Sequence, residues 1–243
     1  MRTHKLLPGG TRRLIFMVTL FSRPSPALVM QSPMRVLCYG DSLTAGTSPP
    51  LDDLFPYAPA LEKRMGADTA LVRHRGLPGA TAAMMLQYAD DEERGLRSLL
   101  RKTRPALAVI LAGTNDLGYH AESGPIVQAL CGLHELAHDL SVPTLAVGIP
   151  PSAYQAQQSE AAELANAVNR ELRTWCLASG EMAQYVDQPI STWSRDDGLW
   201  APDGLHFSPE GYRTLGEGLA GVVAERLGVK NVRLSRFCQD KAE

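Results

Sequence analysis

The sequence has no apolar run of eighteen or more residues, so a membrane-spanning helix is not expected. It has only four cysteines and no CxxC pair, which argues against a zinc knot or a disulfide framework and fits a reducing compartment. The formal net charge of −2 gives no overall electrostatic reason for nucleic-acid binding. What is present is ordinary for a globular protein, with 44% hydrophobic and 21% charged residues, and this composition excludes a disordered chain.

Acidic residues are also missing from the N-terminal segment, where the first one along the chain is Asp41. Residues 1–33 carry five basic residues and a short apolar run at 14–21. Three interpretations stay open: a tail that precedes a start at Met34, a secretory signal, or an organelle transit peptide. We favour the tail, and with it a cytoplasmic location. Both this segment and the C-terminal tail at 230–243 are left out of the fold prediction.

Between these ends, apolar runs alternate with helical patterns. Strands are predicted at 35–39, 71–75, 107–111, 144–149 and 184–187, and the third and fourth are apolar enough to be buried on both faces. Helices are predicted over 81–102, 125–140, 164–175 and 209–227, the last with Ser208 as its cap and Pro209 at its first position. Segment 150–161 is predicted to be a polar loop. This alternation predicts one α/β domain over 34–229 with a mostly parallel sheet.

Polar residues and glycines follow three of these strands, and a further pair precedes the last helix. Ser42, Gly79 and Asn115 come after the first, second and third strands, and Asp203 and His206 come before the last helix. Because ligands bind beyond the carboxyl ends of parallel strands, these residues are expected to meet in one crevice. The predicted site therefore contains a serine, an imidazole, a carboxylate and several hydrogen-bond donors.

That set of groups is what acyl transfer requires. A serine hydroxyl becomes a good nucleophile when an imidazole takes its proton, and a carboxylate holds the imidazole in the right tautomer. A serine N–H, a glycine N–H and an asparagine amide can stabilise the oxyanion of the tetrahedral intermediate. The step of three residues from Asp203 to His206 lets one short loop supply both the carboxylate and the imidazole.

The motifs resemble the sequence blocks of the SGNH hydrolases, also called GDSL-type esterases and lipases. Residues 40–43 (Gly-Asp-Ser-Leu) match the first block, Gly79 the second, 113–116 (Gly-Thr-Asn-Asp) the third and 203–206 (Asp-Gly-Leu-His) the last. The resemblance runs from about Arg35 to about Leu227, and residues 197–212 look most like the arylesterase-like branch. It implies a flavodoxin-like three-layer sandwich with a five-stranded parallel sheet.

The resemblance also implies a role for each matched residue. Ser42 would be the nucleophile, His206 the base and Asp203 the residue that orients it. The oxyanion donors would be Ser42, Gly79 and Asn115. Gly76 is an alternative to Gly79, although Gly79 matches better because it precedes Ala-Thr and a helix, whereas Gly76 ends a strand.

Other residues receive supporting roles or none. Asp41 and Asp116 are predicted to support the site, Asp116 by hydrogen bonds that hold the Asn115 loop. No metal site is expected, because His74, His134 and His138 are interpreted as lacking partners at metal-ligand spacing. No nucleotide cofactor is expected either, since residues 76–79 lack the third glycine of a dinucleotide fingerprint.

The sequence therefore predicts a cofactor-independent serine esterase that acts on small carboxylic esters through an acyl-enzyme. Other activities of the same family stay open, namely carbohydrate O-acetylesterase, thioesterase and lysophospholipase, because the motifs specify the chemistry and not the substrate. A catalytically silent binding module on the same fold is the alternative outside enzymes. Its motif residues would be free to change, whereas Ser42, Asp203 and His206 are all present. The oligomeric state is left open.

Overall fold

The structure is a computed structural model that describes residues 32–229. The predictions made for residues 1–31 and 230–243 fall outside the described residues. In chain order the elements are β1 Met34–Gly40, α1 Ser42–Ala45, α2 Ala58–Met65, β2 Ala70–Gly76, α3 Ala82–Gln87, α4 Leu96–Thr103, β3 Leu107–Leu111, α5 Ser123–His138, β4 Thr144–Val147, α6 Ala153–Gln157, α7 Ser159–Ala178, β5 Ala183–Val186 and α8 Pro209–Arg226.

All five strands join one parallel sheet in the order β2-β1-β3-β4-β5. The chain goes from β1 to one side to form β2 and then crosses β1 to form β3. The strand order therefore reverses at β1, and a crevice opens beyond the carboxyl ends of β1 and β3. This order is that of the flavodoxin-like doubly wound fold, which confirms the predicted fold class.

Helices cover both faces of the sheet and give three layers. In β1, Val36 and Cys38 point into a core shared with α2 and α8, whereas Leu37 and Tyr39 point into a core shared with α3, α4, α5 and α7. Alternate residues of the strand are therefore buried on opposite faces, as expected of a central parallel strand. Cys38 is fully buried in the first of these cores.

Helix α8 confirms its predicted start. The Ser208 hydroxyl accepts a hydrogen bond from the Gly211 N–H at 3.0 Å, and Pro209 is the first helical residue. The helix packs closely on α2, because a Cβ at Gly216 would lie 2.3 Å from the Tyr57 carbonyl oxygen. Helix α2 was missing from the sequence prediction.

Two predicted segments are wrong in detail. The helix predicted over 81–102 is two helices, α3 and α4, separated by a turn in which the Asp91 carboxylate accepts from the N–H groups of Glu93 and Arg94. Gly95 closes that turn, where a Cβ would lie 2.4 Å from the Ala89 carbonyl oxygen. The segment predicted as a loop over 150–161 contains α6, which the Ser152 hydroxyl caps. Within residues 32–229, none of the helices has the length and apolar character needed to cross a membrane.

Candidate active site

Ser42 begins a single helical turn directly after β1. The Asp41 carboxylate caps this turn by accepting the Leu43 N–H at 2.9 Å, and Gly46 ends it with a φ of 85°. The close approach of β1 to β3 requires Gly40, since a Cβ there would lie 1.8 Å from the Leu111 carbonyl oxygen. The turn therefore holds Ser42, which is 8% exposed, at the edge of the crevice.

Asp203 and His206 lie on a tight loop that precedes α8. One carboxylate oxygen of Asp203 accepts the backbone N–H groups of Leu205 and His206, both at 3.0 Å. Gly204 has a φ of 66°, and its carbonyl accepts the Ala153 N–H from α6 at 2.8 Å. These bonds fold the loop back on itself, so that both side chains leave it on the same side.

The loop brings the imidazole against the serine. The Nε2 atom of His206 lies 2.9 Å from the Ser42 Oγ atom, and its Nδ1 atom lies 2.6 Å from the second carboxylate oxygen of Asp203. Burial raises the pKa of Asp203, but the hydrogen bonds from the His206 ring and from two backbone N–H groups outweigh it, so the pKa is lowered overall. An ionised Asp203 can therefore accept the Nδ1–H and leave Nε2 free to accept the serine proton.

A hydrogen bond also connects α8 to the segment that follows Ser42. The Tyr212 hydroxyl donates to the Thr47 carbonyl at 2.7 Å, five residues beyond Ser42. Its ring packs edge-on against Phe207, which follows His206 directly. This bond could not be predicted from the sequence, because periodicity indicates the buried face of a helix but not the partner of a hydroxyl group.

Gly79 and Gly76 stand in different surroundings. Gly79 is the third residue of a turn closed by the bond from the Ala80 N–H to the Leu77 carbonyl at 3.0 Å, and its φ of 77° together with Pro78 before it is typical of a type II turn. The position of its Cβ is open, with nothing within 4 Å. A Cβ at Gly76 would instead lie 2.1 Å from the Ala45 nitrogen. Gly76 therefore allows β2 to pack closely against α1.

Three donors near this crevice have no partner among residues 32–229. They are the N–H groups of Ser42 and Gly79 and one of the two Nδ2 hydrogens of Asn115. The other Nδ2 hydrogen goes to the Ala80 carbonyl at 3.0 Å, which fixes the plane of the amide. Free donors that already point away from internal acceptors are suited to binding an oxyanion.

Asp41 and Asp116 are completely buried carboxylates behind these donors. Burial, with a smaller contribution from the nearby charge of Asp116, raises the pKa of Asp41 to about 7. Burial also raises the pKa of Asp116, against the hydrogen bond from the Ala82 N–H. The sequence prediction for Asp116 named the Asn115 loop, whereas the bond in the structure reaches the segment that follows Gly79.

Two tryptophans, Trp193 and Trp200, pack against the loop that carries Asp203 and His206. Trp200 is 9% exposed and lies 4.6 Å from the Phe207 ring, centroid to centroid. The Trp193 Nε1 atom would lie 3.3 Å from a Cβ at Gly204, so this ring covers the back of the loop.

His134 and His138 do lie at a spacing found in metal sites, which the sequence interpretation overlooked. They are four residues apart on α5 with Glu135 after the first, an arrangement typical of zinc-binding helices. Both rings contact the Thr144 hydroxyl, His134 through Nδ1 at 2.8 Å and His138 through Nε2 at 3.1 Å. Among the residues that the structure describes, no group of three or more histidine, cysteine, aspartate or glutamate side chains could hold a metal ion.

Solved structures of esterases and lipases have the same fold. A family 3 carbohydrate esterase from Clostridium thermocellum aligns with a TM-score of 0.63 and 15% identity, over 82% of this chain and 100% of that one. A lipase/acylhydrolase from Enterococcus faecalis aligns with a TM-score of 0.56 and 22% identity, over 79% and 96%. An acetyl esterase mutant with acetate ion aligns with a TM-score of 0.59 and 15% identity, over 80% and 98%. No curated protein matches the sequence.

The family profile decides the assignment. The GDSL-like lipase/acylhydrolase family matches residues 38–214, which include Ser42, Gly79, Asn115, Asp203 and His206. The matched range covers most of the domain and agrees with the resemblance seen in the sequence motifs. The chain therefore belongs to the GDSL-like lipase/acylhydrolase family, and it is a carboxylic ester hydrolase of the SGNH type.

Proposed function

We propose that the protein is a serine esterase that hydrolyses small carboxylic esters through Ser42, His206 and Asp203. The observation that carries this proposal is the unbroken hydrogen-bonded series from the Ser42 Oγ atom to His206 Nε2 at 2.9 Å and from His206 Nδ1 to Asp203 at 2.6 Å. A nucleophile, a base and a group that orients the base are the elements of a catalytic triad.

In the first half-reaction, the Ser42 oxygen attacks the ester carbonyl while its proton moves to His206 Nε2. The carbonyl oxygen becomes an oxyanion that accepts hydrogen bonds from the free donors of Ser42, Gly79 and Asn115. The tetrahedral intermediate then collapses, and His206 donates the same proton to the departing alcohol. An acyl group remains as an ester on Ser42.

In the second half-reaction, a water molecule attacks the acyl-enzyme and gives one proton to His206 Nε2. Collapse of the second tetrahedral intermediate releases the carboxylic acid, and His206 returns the proton to Ser42. Asp203 stays ionised throughout and stabilises the imidazolium that forms twice in each cycle. The buried Asp41 supports the reaction by holding the turn that carries Ser42.

The acyl group is proposed to be short, because the segments beside the crevice offer little free apolar surface. Of the four large apolar side chains in 190–202, Ile190 and Trp200 are buried in the core, and Trp193 and Leu199 pack against it. Helix α6 presents the exposed Tyr154 and glutamines. Each buried methylene adds about 0.8 kcal/mol of binding only where an apolar wall receives it.

A carbohydrate ester is a second candidate for the substrate. Between the carboxyl ends of β4 and β5 and helix α7 lies a recess of about 250 Å³, lined by Gln155, Asn166, Asn169, Asp187 and Gln188. Amide and carboxylate groups are suited to binding the hydroxyl groups of a sugar. The structural similarity to a carbohydrate esterase agrees with this possibility.

A fluorophosphonate probe combined with ester turnover tests the proposal. We expect the wild type to hydrolyse p-nitrophenyl acetate and to be labelled at Ser42. Ser42→Ala should fold, lose labelling, and lose turnover by about 10⁴-fold or more. Ser98→Ala on α4 is the matched control and should behave as the wild type. Labelling at another serine, or no turnover of any activated ester by the wild type, would refute the proposed function. Faster turnover of acetylated sugars than of p-nitrophenyl acetate would favour the second candidate.

A further inference from the structure

Asn115 and Asp116 are consecutive residues whose side chains bind the same neighbouring segment. They lie on the 3₁₀ turn Asn115–Gly118 that follows β3. The Asn115 Nδ2 group donates to the Ala80 carbonyl at 3.0 Å. Both carboxylate oxygens of Asp116 accept the Ala82 N–H, at 3.1 and 3.2 Å. The two side chains therefore bind the backbone at Ala80 and Ala82, just after Gly79, although these segments are 34 and 35 residues apart in the sequence.

Few other contacts hold Gly79 in place. On its N-terminal side, the Leu77 N–H donates to the Gly40 carbonyl at 2.8 Å, which ties the turn to the strand that leads into Ser42. At Gly79 itself, nothing lies within 4 Å of the Cβ position. The turn bond from the Ala80 N–H to the Leu77 carbonyl sets the local direction of the Gly79 N–H. Where the turn lies against the crevice therefore depends on the anchors at either end, Gly40 before it and the pair Asn115 and Asp116 after it.

The anchor that Asp116 provides is a buried hydrogen bond at the start of α3. Its carboxylate is completely buried, and its partner is a free N–H in the first turn of α3, where the helix dipole favours a negative charge. A hydrogen bond to an ionised carboxylate is stronger than a neutral one, and here the two oxygens share one N–H at 3.1 and 3.2 Å. The Thr81 hydroxyl caps the same helix through the Met84 N–H, so it does not replace the bond at Ala82.

We propose that Asp116 is a positioning residue for the oxyanion hole, which acts through the Ala82 N–H to hold the Gly79 N–H at the crevice. This inference rests on the proposed esterase function, since it concerns the same site. Asp116 itself touches neither the nucleophile nor the substrate in this assignment. Its effect is expected in the transition state, because a misdirected Gly79 N–H weakens binding of the oxyanion and leaves ground-state binding unchanged.

The test is the Asp116→Ala variant, measured at a temperature where circular dichroism shows it folded. We expect kcat/KM for p-nitrophenyl acetate to fall by about 10- to 100-fold, in line with the cost of misplacing one catalytic group. The affinity for phenylboronic acid, which forms a tetrahedral adduct with the serine, should fall in parallel. Inhibition by the product acetate should not change. A lowered melting temperature with kcat/KM within threefold of the wild type would overturn the proposal.

Asp116→Ala is also measured in the background of Asn115→Ala, which tests whether Asp116 acts through the Gly79 segment or only by supporting Asn115. If Asp116 acts through the Gly79 segment, Asp116→Ala should reduce kcat/KM at least as strongly in that background as in the wild type. No further loss would mean that Asp116 acts only through Asn115, which would also overturn the proposal. Asp91→Ala is the matched control, since the Asp91 carboxylate likewise accepts hydrogen bonds from backbone N–H groups, but in the turn between α3 and α4. It should keep wild-type activity.

Asp116→Asn covers the case in which the alanine variant does not fold. Its amide oxygen keeps one neutral acceptor for the Ala82 N–H, so we expect a loss of about three- to tenfold in both kcat/KM and boronate affinity. Equality with the wild type in both measurements would overturn the inference. A wild type without any ester turnover counts against the proposed function instead, so the two failures can be told apart.

Discussion

Acidification should destabilise the protein through a buried histidine on the side of the sheet covered by α5 and α7. His134 is 1% exposed, its Nδ1 atom lies 2.8 Å from the Thr144 hydroxyl, and its ring lies 5.5 Å from Trp175, centroid to centroid. Burial, with a smaller contribution from the charge of His138, lowers the pKa of His134 to about 3. The folded protein therefore keeps this ring neutral at pH values where the unfolded chain protonates it.

The sign and size of the effect follow from linkage. Below the unfolded pKa of about 6.5, the unfolded state binds a proton that the folded state does not, so stability falls as pH falls. Between pH 6.5 and the folded pKa of about 3, the slope approaches about 1.4 kcal/mol per pH unit. At pH 5 the loss from His134 alone is about 2 kcal/mol, or roughly 4–8 °C in melting temperature for a domain of this size.

Other groups act in the opposite direction, so the measurement must be a difference between variants. The raised pKa values of Asp41 and Asp116 stabilise the fold as pH falls, because each carboxyl is easier to bury when protonated. Thermal or urea unfolding of wild type and His134→Gln from pH 7.5 to 4.5 isolates the histidine. The variant should lose less stability than the wild type on going from pH 7 to 5, by about 2 kcal/mol.

Ser98→Ala on α4, which removes no titratable group, is the control and should follow the wild-type profile. Parallel curves for wild type and His134→Gln across this range would refute the reasoning. They would mean that the folded state accepts the proton at His134, with the Thr144 hydroxyl and surrounding helix adjusting to it.

Three further predictions concern the site. Asn115→Ala should lower kcat for p-nitrophenyl acetate by about 10²- to 10³-fold with little change in KM, which is the usual effect of losing one oxyanion donor. An unchanged kcat would show that Asn115 only shapes the loop. Asp203→Ala should be less damaging than His206→Ala, because the bond from the Ala201 N–H to the His206 carbonyl still holds the loop, and a wild-type rate for Asp203→Ala would exclude the triad. Turnover of p-nitrophenyl esters should be highest from acetate to butyrate and at least tenfold lower at dodecanoate, because little apolar surface is free to bind a long acyl chain. A maximum at twelve carbons would show a deep acyl pocket.

The motifs and the order of strands and helices could be predicted from the sequence because their causes are local. Buried strands require short apolar runs, and the start of α8 requires a serine followed by proline, so both appear directly in the residues. The helix predicted over 81–102 was wrong because periodicity does not register a tight turn such as the one at Gly95. The short helices α2 and α6 were missed, since most of their stability comes from packing and capping.

The sequence by itself predicted which groups form the proposed site, because Ser42, Gly79, Asn115, Asp203 and His206 are the residue types that acyl transfer needs. Only the tertiary structure decided how they are held. The bond from Asp116 to the Ala82 N–H and the bond from Tyr212 to the Thr47 carbonyl join segments far apart in the chain. Such contacts leave no periodic pattern, because a backbone N–H or carbonyl is the same at every residue, and only folding selects which of them a buried side chain reaches.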